Sequence, residues 1–126
     1  MARSSTSLVA FLVGAEGADI PKVADLLGTK LVANELLAYV KLHDYVNLAD
    51  HPLSPRARIL ASYALTGFAN FASIGIQLGG IGALAPSRRQ DLARFGLKAL
   101  LVGFLVTLIN ASLAGMLLDL PDGSTP

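Results

Sequence analysis

Two stretches of this chain contain no charged residue: the 27 residues from Ile59 to Ala85 and the 20 from Ala99 to Leu118. A bilayer's hydrocarbon core takes about 20 mostly apolar residues to cross as a helix. Inside that core every backbone N–H and C=O must find its partner within the protein, which leaves very few architectures open. An all-α integral membrane fold is therefore the expectation. Composition points the same way, with 53% hydrophobic and only 15% charged residues, against about 25% charged in ordinary soluble domains. The net charge of +1 supplies no field for nucleic acid, and the absence of cysteine removes disulfides, thiolate metal sites and thiol nucleophiles. A length of 126 residues allows one domain at most.

The rest of the chain is read around those two runs. Residues 1–20 are expected to be an N-terminal connector or the stump of a preceding membrane segment. A secretory signal is set aside because the apolar run Leu8–Val13 breaks at Gly14 and Glu16 sits where a cleavage site belongs. Pro21 suits a helix start, with Asp19 as capping acceptor. Residues 21–48 hold Asp25, Lys30, Glu35 and Lys41 among apolar neighbours, too interrupted for a clean span. Two short arms meeting near Ala33–Asn34–Glu35 fit better, as a re-entrant helical hairpin. Residues 49–58 read as an outside loop, with Ser54-Pro55 as the next helix start. Within it and just before, His43 and His51 are eight apart in a Pro-containing connector, a spacing that matches no helical metal-ligand pair.

Residues 59–85 are long enough to span, yet Gly67, Asn70, Ser73, Gly75, Gln77, Gly79, Gly80 and Gly82 put polar groups and weak helix formers at bilayer depth. Glycine costs roughly 1 kcal/mol against alanine in a helix interior, so this is expected to be a broken transmembrane helix, opened around Asn70 and Ser73. Residues 86–98 carry four basic residues against one acid, the mark of a cytoplasmic loop. Residues 99–118 form the plainest transmembrane helix. Its Gly103, Thr107, Ala111 and Gly115 recur every fourth position as a stripe for close helix packing, with Asn110 beside it to hydrogen-bond across that interface. The tail 119–126, with Asp119 and Asp122, would then lie outside, although Arg56 and Arg58 run against this orientation.

Glu35 is the sharpest candidate for function. An ionisable group inside a membrane segment is costly unless it is paired, hydrated or bound to something. Lys30 and Lys41 lie five and six residues away, which misses the neighbouring positions of a helix face. Asn70 and Ser73, spaced to share a helix face, are the second element. A carboxylate that accepts from two hydroxyls, beside an amide and a serine that can donate and accept, suits a polyhydroxylated neutral ligand. The alternative for Asn70 and Ser73 is polar glue between helices. Enzyme chemistry finds no support: no second acid neighbours Glu35, and Leu78-Gly79-Gly80-Ile81-Gly82 lacks the lysine of a phosphate loop.

Two segments also carry a family resemblance. Gly28-Thr29-Lys30, followed by Asn34-Glu35-Leu36-Leu37-Ala38-Tyr39, and Gly67-Phe68-Ala69-Asn70-Phe71-Ala72-Ser73-Ile74-Gly75, resemble two motifs of the concentrative nucleoside transporters. The resemblance runs from about Pro21 to Leu118. It implies a symporter that carries nucleosides inward on a sodium or proton gradient. It further implies that Glu35, at a hairpin tip, joins Asn70 and Ser73 in holding the ribose hydroxyls, with Phe68 lining the pocket. Leu36 departs from the usual Phe, and Ala72 from the usual Ser. The resemblance implies partners too: an N-terminal half in cis or trans with the base-reading hairpin and the coupling-cation site, a homotrimer, and an inner or plasma membrane. No cofactor beyond the coupling cation is expected. The chain thus reads as the C-terminal part of such a transporter. The competing reading is a small, non-transporting membrane protein that associates with intact transporters through the stripe at Gly103, Thr107, Ala111 and Gly115.

Overall fold

A handful of side chains sets where the helices of this chain start and stop. The computed structural model describes residues 2–118, and these are all-helical: α1 (Ala2–Val13), α2 (Ile20–Val32), α3 (Glu35–Val46), α4 (Pro55–Ala64), α5 (Phe71–Leu84) and α6 (Arg89–Leu118), with 3-10 turns at Gly17–Asp19 and Pro86–Arg88. The tail 119–126, expected outside the membrane, lies beyond the described residues.

The N-terminal connector expected over residues 1–20 is corrected first. Ala2–Val13 is a helix packed along α2, and Ala10 and Val13, three apart on one face, are buried. The run Leu8–Val13 is too short to span, but a helix that only needs to bury one stripe requires far fewer apolar positions. Gly14, at φ 107°, ends it in a conformation that glycine adopts without strain. Asp19 precedes α2, but its side chain makes no cap; its carboxylate lies 4.0 Å from Lys22 Nζ instead.

Helices α2 and α3 are joined by Ala33 and Asn34 alone. Asn34 is extended, and its side-chain oxygen accepts from Leu37 N at 2.8 Å, so it opens α3 as an N-cap. The two arms are zipped by an ion pair, Lys41 Nζ to Asp25 Oδ2 at 2.7 Å, with Tyr45 Oη donating to the same oxygen at 3.0 Å and Lys41 also reaching Thr29 Oγ1 at 3.1 Å.

Ser54 caps α4, accepting from Ala57 N, with Pro55 in the first turn, so the loop expected over 49–58 gives way to helix at Pro55. Residues 59–85 divide, as a break in the helix was expected, but earlier than the glycine cluster suggested. The chain leaves α4 after Ala64 and re-enters a helix at Phe71, with Gly67 at φ 79° between them. Gly75, Gly79, Gly80 and Gly82 all lie inside α5. Their propensity penalty is small beside an intact ladder of backbone hydrogen bonds, and the Asn70 cap sets the restart.

The basic loop expected over 86–98 is also corrected. After the Pro86–Arg88 turn, α6 runs unbroken from Arg89, and Arg88 pairs with Asp91 at 2.7 Å. Arg, Gln, Leu, Ala and Lys are good helix formers, so charge alone does not end a helix. Pro86–Leu118 is the one stretch among the described residues long and apolar enough to cross a membrane. At about 1.5 Å per residue its 30-residue helix exceeds a bilayer's hydrocarbon core, leaving room for the basic turns at one end.

The core lies between α1, α2, α3, α4 and α6, around the fully buried Leu26, Leu27, Leu53, Leu60 and Leu65. The small-residue stripe of α6 faces α4. Thr107, Ala111 and Gly115 are buried, and a Cβ at Gly115 would stand 2.7 Å from Leu60 Cδ2. Helix α5 leans on the first half of α6, where Gly96 lets Ile74 approach. The other faces of α5 and α6 present exposed apolar side chains, among them Ile76, Leu84, Leu101, Leu105 and Met116.

Candidate functional site

The two helix restarts, α3 and α5, face one another through their first residues. Glu35 is the first residue of α3, and Asn70 is the N-cap of α5. Asn70 is only 2% exposed and is used from both ends of its amide. Its Oδ1 accepts from Ser73 N at 2.8 Å, which fixes the first turn of α5, and its Nδ2 donates to Glu35 Oε2 at 2.9 Å. Ser73 closes the group by donating from Oγ to Asn70 O at 2.6 Å. The amide orientation follows from this network: only with nitrogen toward the carboxylate and oxygen toward Ser73 N are both neighbours satisfied.

Glu35 itself is half-buried. Neither sequence-adjacent lysine pairs with it: Lys41 is engaged with Asp25, and Lys30 points elsewhere. A carboxylate has about four lone-pair sites, and the bond from Asn70 uses one. It stands where the N-terminal ends of α3 and α5 both favour negative charge. The arrangement offers spare acceptor capacity on Glu35, with Ser73 Oγ in the first turn of α5 beside Asn70.

Phe68 falls outside this hydrogen-bonded group. It lies in the break, 71% exposed, and together with Ser73 it lines a groove of about 620 Å³ between α5 and α6. Thr66, Gln77 and Asn110 also face that groove, whereas Glu35 and Asn70 do not. Asn110, expected to bond across a helix interface, is exposed. It stands one position off the buried line of Thr107 and Ala111, so the close α4–α6 contact passes it by. Among the described residues no three His, Asp or Glu side chains gather as a metal set.

Sequence reasoning weighed Lys30 only as a partner for Glu35, and the structure gives it a different place. Lys30 is 0% exposed. Its ammonium donates to Ala64 O at 2.9 Å, Thr66 O at 2.8 Å and Thr107 Oγ1 at 3.0 Å, and stands 5.7 Å from the centre of the Phe104 ring. Tyr39 Oη adds a bond to Ser62 O at 2.8 Å. The hairpin α2–α3 thereby supplies side-chain donors to the carbonyls at the C-terminal end of α4, which have no partner of their own within the helix. A signal was available: Val23, Leu26, Leu27 and Lys30 are spaced as one helix face, and all four are buried.

Comparison with known proteins places this geometry among relatives. Residues 4–115 match the family described as the Na+ dependent nucleoside transporter C-terminus. The chain is 48% identical over 120 residues to sodium/nucleoside cotransporter 1 of Mus musculus, covering 86% of this chain and 18% of that protein. It is 44% identical over 110 residues to the uncharacterized transporter YutK of Bacillus subtilis, covering 87% of this chain and 26% of that one. Among solved structures, CNTnw in an inward-facing substrate-bound state superposes with a TM-score of 0.88 at 36% identity, over 96% of this chain and 29% of that chain. The chain therefore spans well under a third of the length of the relatives it matches.

Proposed function

The chain belongs to the Na+ dependent nucleoside transporter C-terminal family, and on that premise we propose that it supplies the sugar-binding part of a sodium-coupled nucleoside site. The observation that carries this reading is the bond from Asn70 Nδ2 to Glu35 Oε2. It holds a carboxylate, half-buried at the meeting of two helix starts, with lone pairs to spare. A ribose presents vicinal hydroxyls that can donate to such a carboxylate and accept from a neighbouring amide or serine. In this reading Glu35 takes two sugar hydroxyls, Asn70 and Ser73 set the geometry around them, and Phe68 walls the ligand from the groove side.

The same reading assigns α2–α3 as a re-entrant hairpin and α4–α5 as a broken membrane helix. The freed backbone groups of both are satisfied by protein and substrate rather than by water. The basic first turns of α6 would lie on the cytoplasmic side. The base-reading part, the coupling-cation site and the contacts of a trimer would come from an N-terminal half. Sodium is cargo here. Ala64 O, Thr66 O and Thr107 Oγ1 are oxygens of the kind that hold sodium, but the Lys30 ammonium takes them, so this cluster does not fit that ion.

The competing idea, a partner that binds intact transporters through the α6 stripe, loses its contact surface. Within this chain the stripe already packs on α4 and on the break that follows it, with Gly115 against Leu60 and Gly103 against Ala69.

The test is sodium-driven uptake of uridine by the natural protein carrying Glu35→Gln at matched membrane abundance. Loss of two charge-assisted hydrogen bonds predicts a fall of about 100-fold or more in apparent affinity. Unchanged uptake would remove the site assignment.

A further inference from the structure

We propose that Lys30 is a positioning residue for this sugar site: a tethered cation that fixes the end of α4 and so the place where Asn70 meets Glu35. The proposal rests on the sugar-site reading above and adds to it the part that keeps the site in register.

Besides the Tyr39 bond to Ser62 O, two rungs join the hairpin to the broken helix. One is Lys30 to Ala64 O and Thr66 O; the other is Glu35 to Asn70. Lys30 sits in the last turn of α2 and Glu35 in the first turn of α3, separated by a two-residue turn. Ala64 ends α4, Thr66 lies second in the break, and Asn70 closes it. Residues 30–35 and 64–70 thus form a small closed ring with a rung at each end, so displacing the first rung shifts the second. Thr107 Oγ1 and the Phe104 ring anchor that first rung to α6.

The chemistry at the rung calls for a cation rather than a neutral donor. Carbonyls at a helix C-terminus carry partial negative charge and stabilise a cation placed against them. Lys30 is wholly buried, so no water stands ready to take over if the ammonium is removed. Two backbone acceptors would then be left without partners inside the protein, and the break would have to rearrange to satisfy them. Tyr39, which caps Ser62 O from the other arm, would still hold α3 to α4, so the hairpin would stay attached while its tip moves relative to Asn70.

A merely structural lysine and a positioning one differ in what they do to sugar recognition. The measurement is the affinity of the purified natural protein for uridine and for 2′,3′-dideoxyuridine, in Lys30→Met and, as a milder change, Thr107→Val. The expected result for Lys30→Met is a loss of about tenfold or more for uridine with little change for the dideoxy analogue. Thr107→Val should move the same ratio less, in the same direction. If Lys30→Met does not accumulate in membranes, Thr107→Val decides. Parallel losses for both ligands, or an unchanged ratio in folded variants, would overturn the proposal. Glu35→Gln separates the two levels. If it leaves the ratio intact, the sugar-site reading falls and Lys30 with it; if it collapses the ratio while the Lys30 and Thr107 variants do not, only the role of Lys30 falls.

Discussion

The two helix restarts in this chain use the same residue in the same way and end with different capabilities. Asn34 opens α3 and Asn70 opens α5; each accepts a backbone N–H three residues on, at 2.8 Å. Asn34 is exposed, and its amide nitrogen has no partner among the described residues. Asn70 is buried, and its amide nitrogen reaches across to Glu35. The turn before α3 is two residues, and no side chain from elsewhere among the described residues hydrogen-bonds to it, whereas the six-residue break before α5 is fastened by Lys30. An N-cap is a local device worth about 1 kcal/mol. On the proposed reading, the same side chain, placed at a buried break and turned toward a carboxylate, becomes part of a recognition surface.

Substituting the two asparagines in parallel tests that contrast at its strongest. Asn70→Ala removes the cap of α5 and the donor to Glu35 together. On the proposed reading it should lower uridine affinity by about 100-fold, since a buried charge-assisted bond is lost along with the local geometry. Titration of purified protein measures this. An affinity within a few fold of the wild type would dissolve the distinction between the two caps.

Asn70→Asp sharpens the same point by keeping the cap. Aspartate is as good an N-cap as asparagine, but it donates nothing to Glu35 and sets a second carboxylate beside it. Uridine affinity should fall by about tenfold or more while the start of α5 persists in hydrogen exchange. Retained affinity would mean that Asn70 serves the helix alone. Asn34→Ala is the smallest change: about 1 kcal/mol of stability, read by thermal melting, with uridine affinity within about threefold of the wild type. A larger loss of affinity would show that the exposed cap is as much part of the site as the buried one.

The candidate site was more legible in the sequence than the frame that holds it. Glu35 declares itself because a carboxylate among Leu, Val and Ala is costly, and Asn70 and Ser73 because their spacing puts them in one helical turn. That Glu35 and Asn70 come together across 35 residues of chain was implied only by the resemblance, as a shared ligand, and their direct bond was not foreseen. Phe68 rested on that resemblance too, and the structure sets it on the groove, apart from the hydrogen-bonded group. Lys30 was hidden because a lysine is usually read as a surface residue or a partner for the nearest acid. Two of its three acceptors are backbone carbonyls, which leave no mark in a sequence, and the third, Thr107 Oγ1, lies 77 residues away. Helix α1 and the early start of α6 were missed for a related reason. Length and charge tell what can cross a bilayer, but a helix forms wherever one face can be buried or its residues permit it.

The central claim is that Glu35, held by Asn70, reads sugar hydroxyls. Its most direct test is the affinity of the purified natural protein for uridine against 2′,3′-dideoxyuridine, compared between wild type and Glu35→Gln. The account predicts that the wild type prefers uridine by about 100-fold and that Glu35→Gln binds both ligands with nearly equal, weak affinity. A preference for uridine that survives Glu35→Gln unchanged would contradict it.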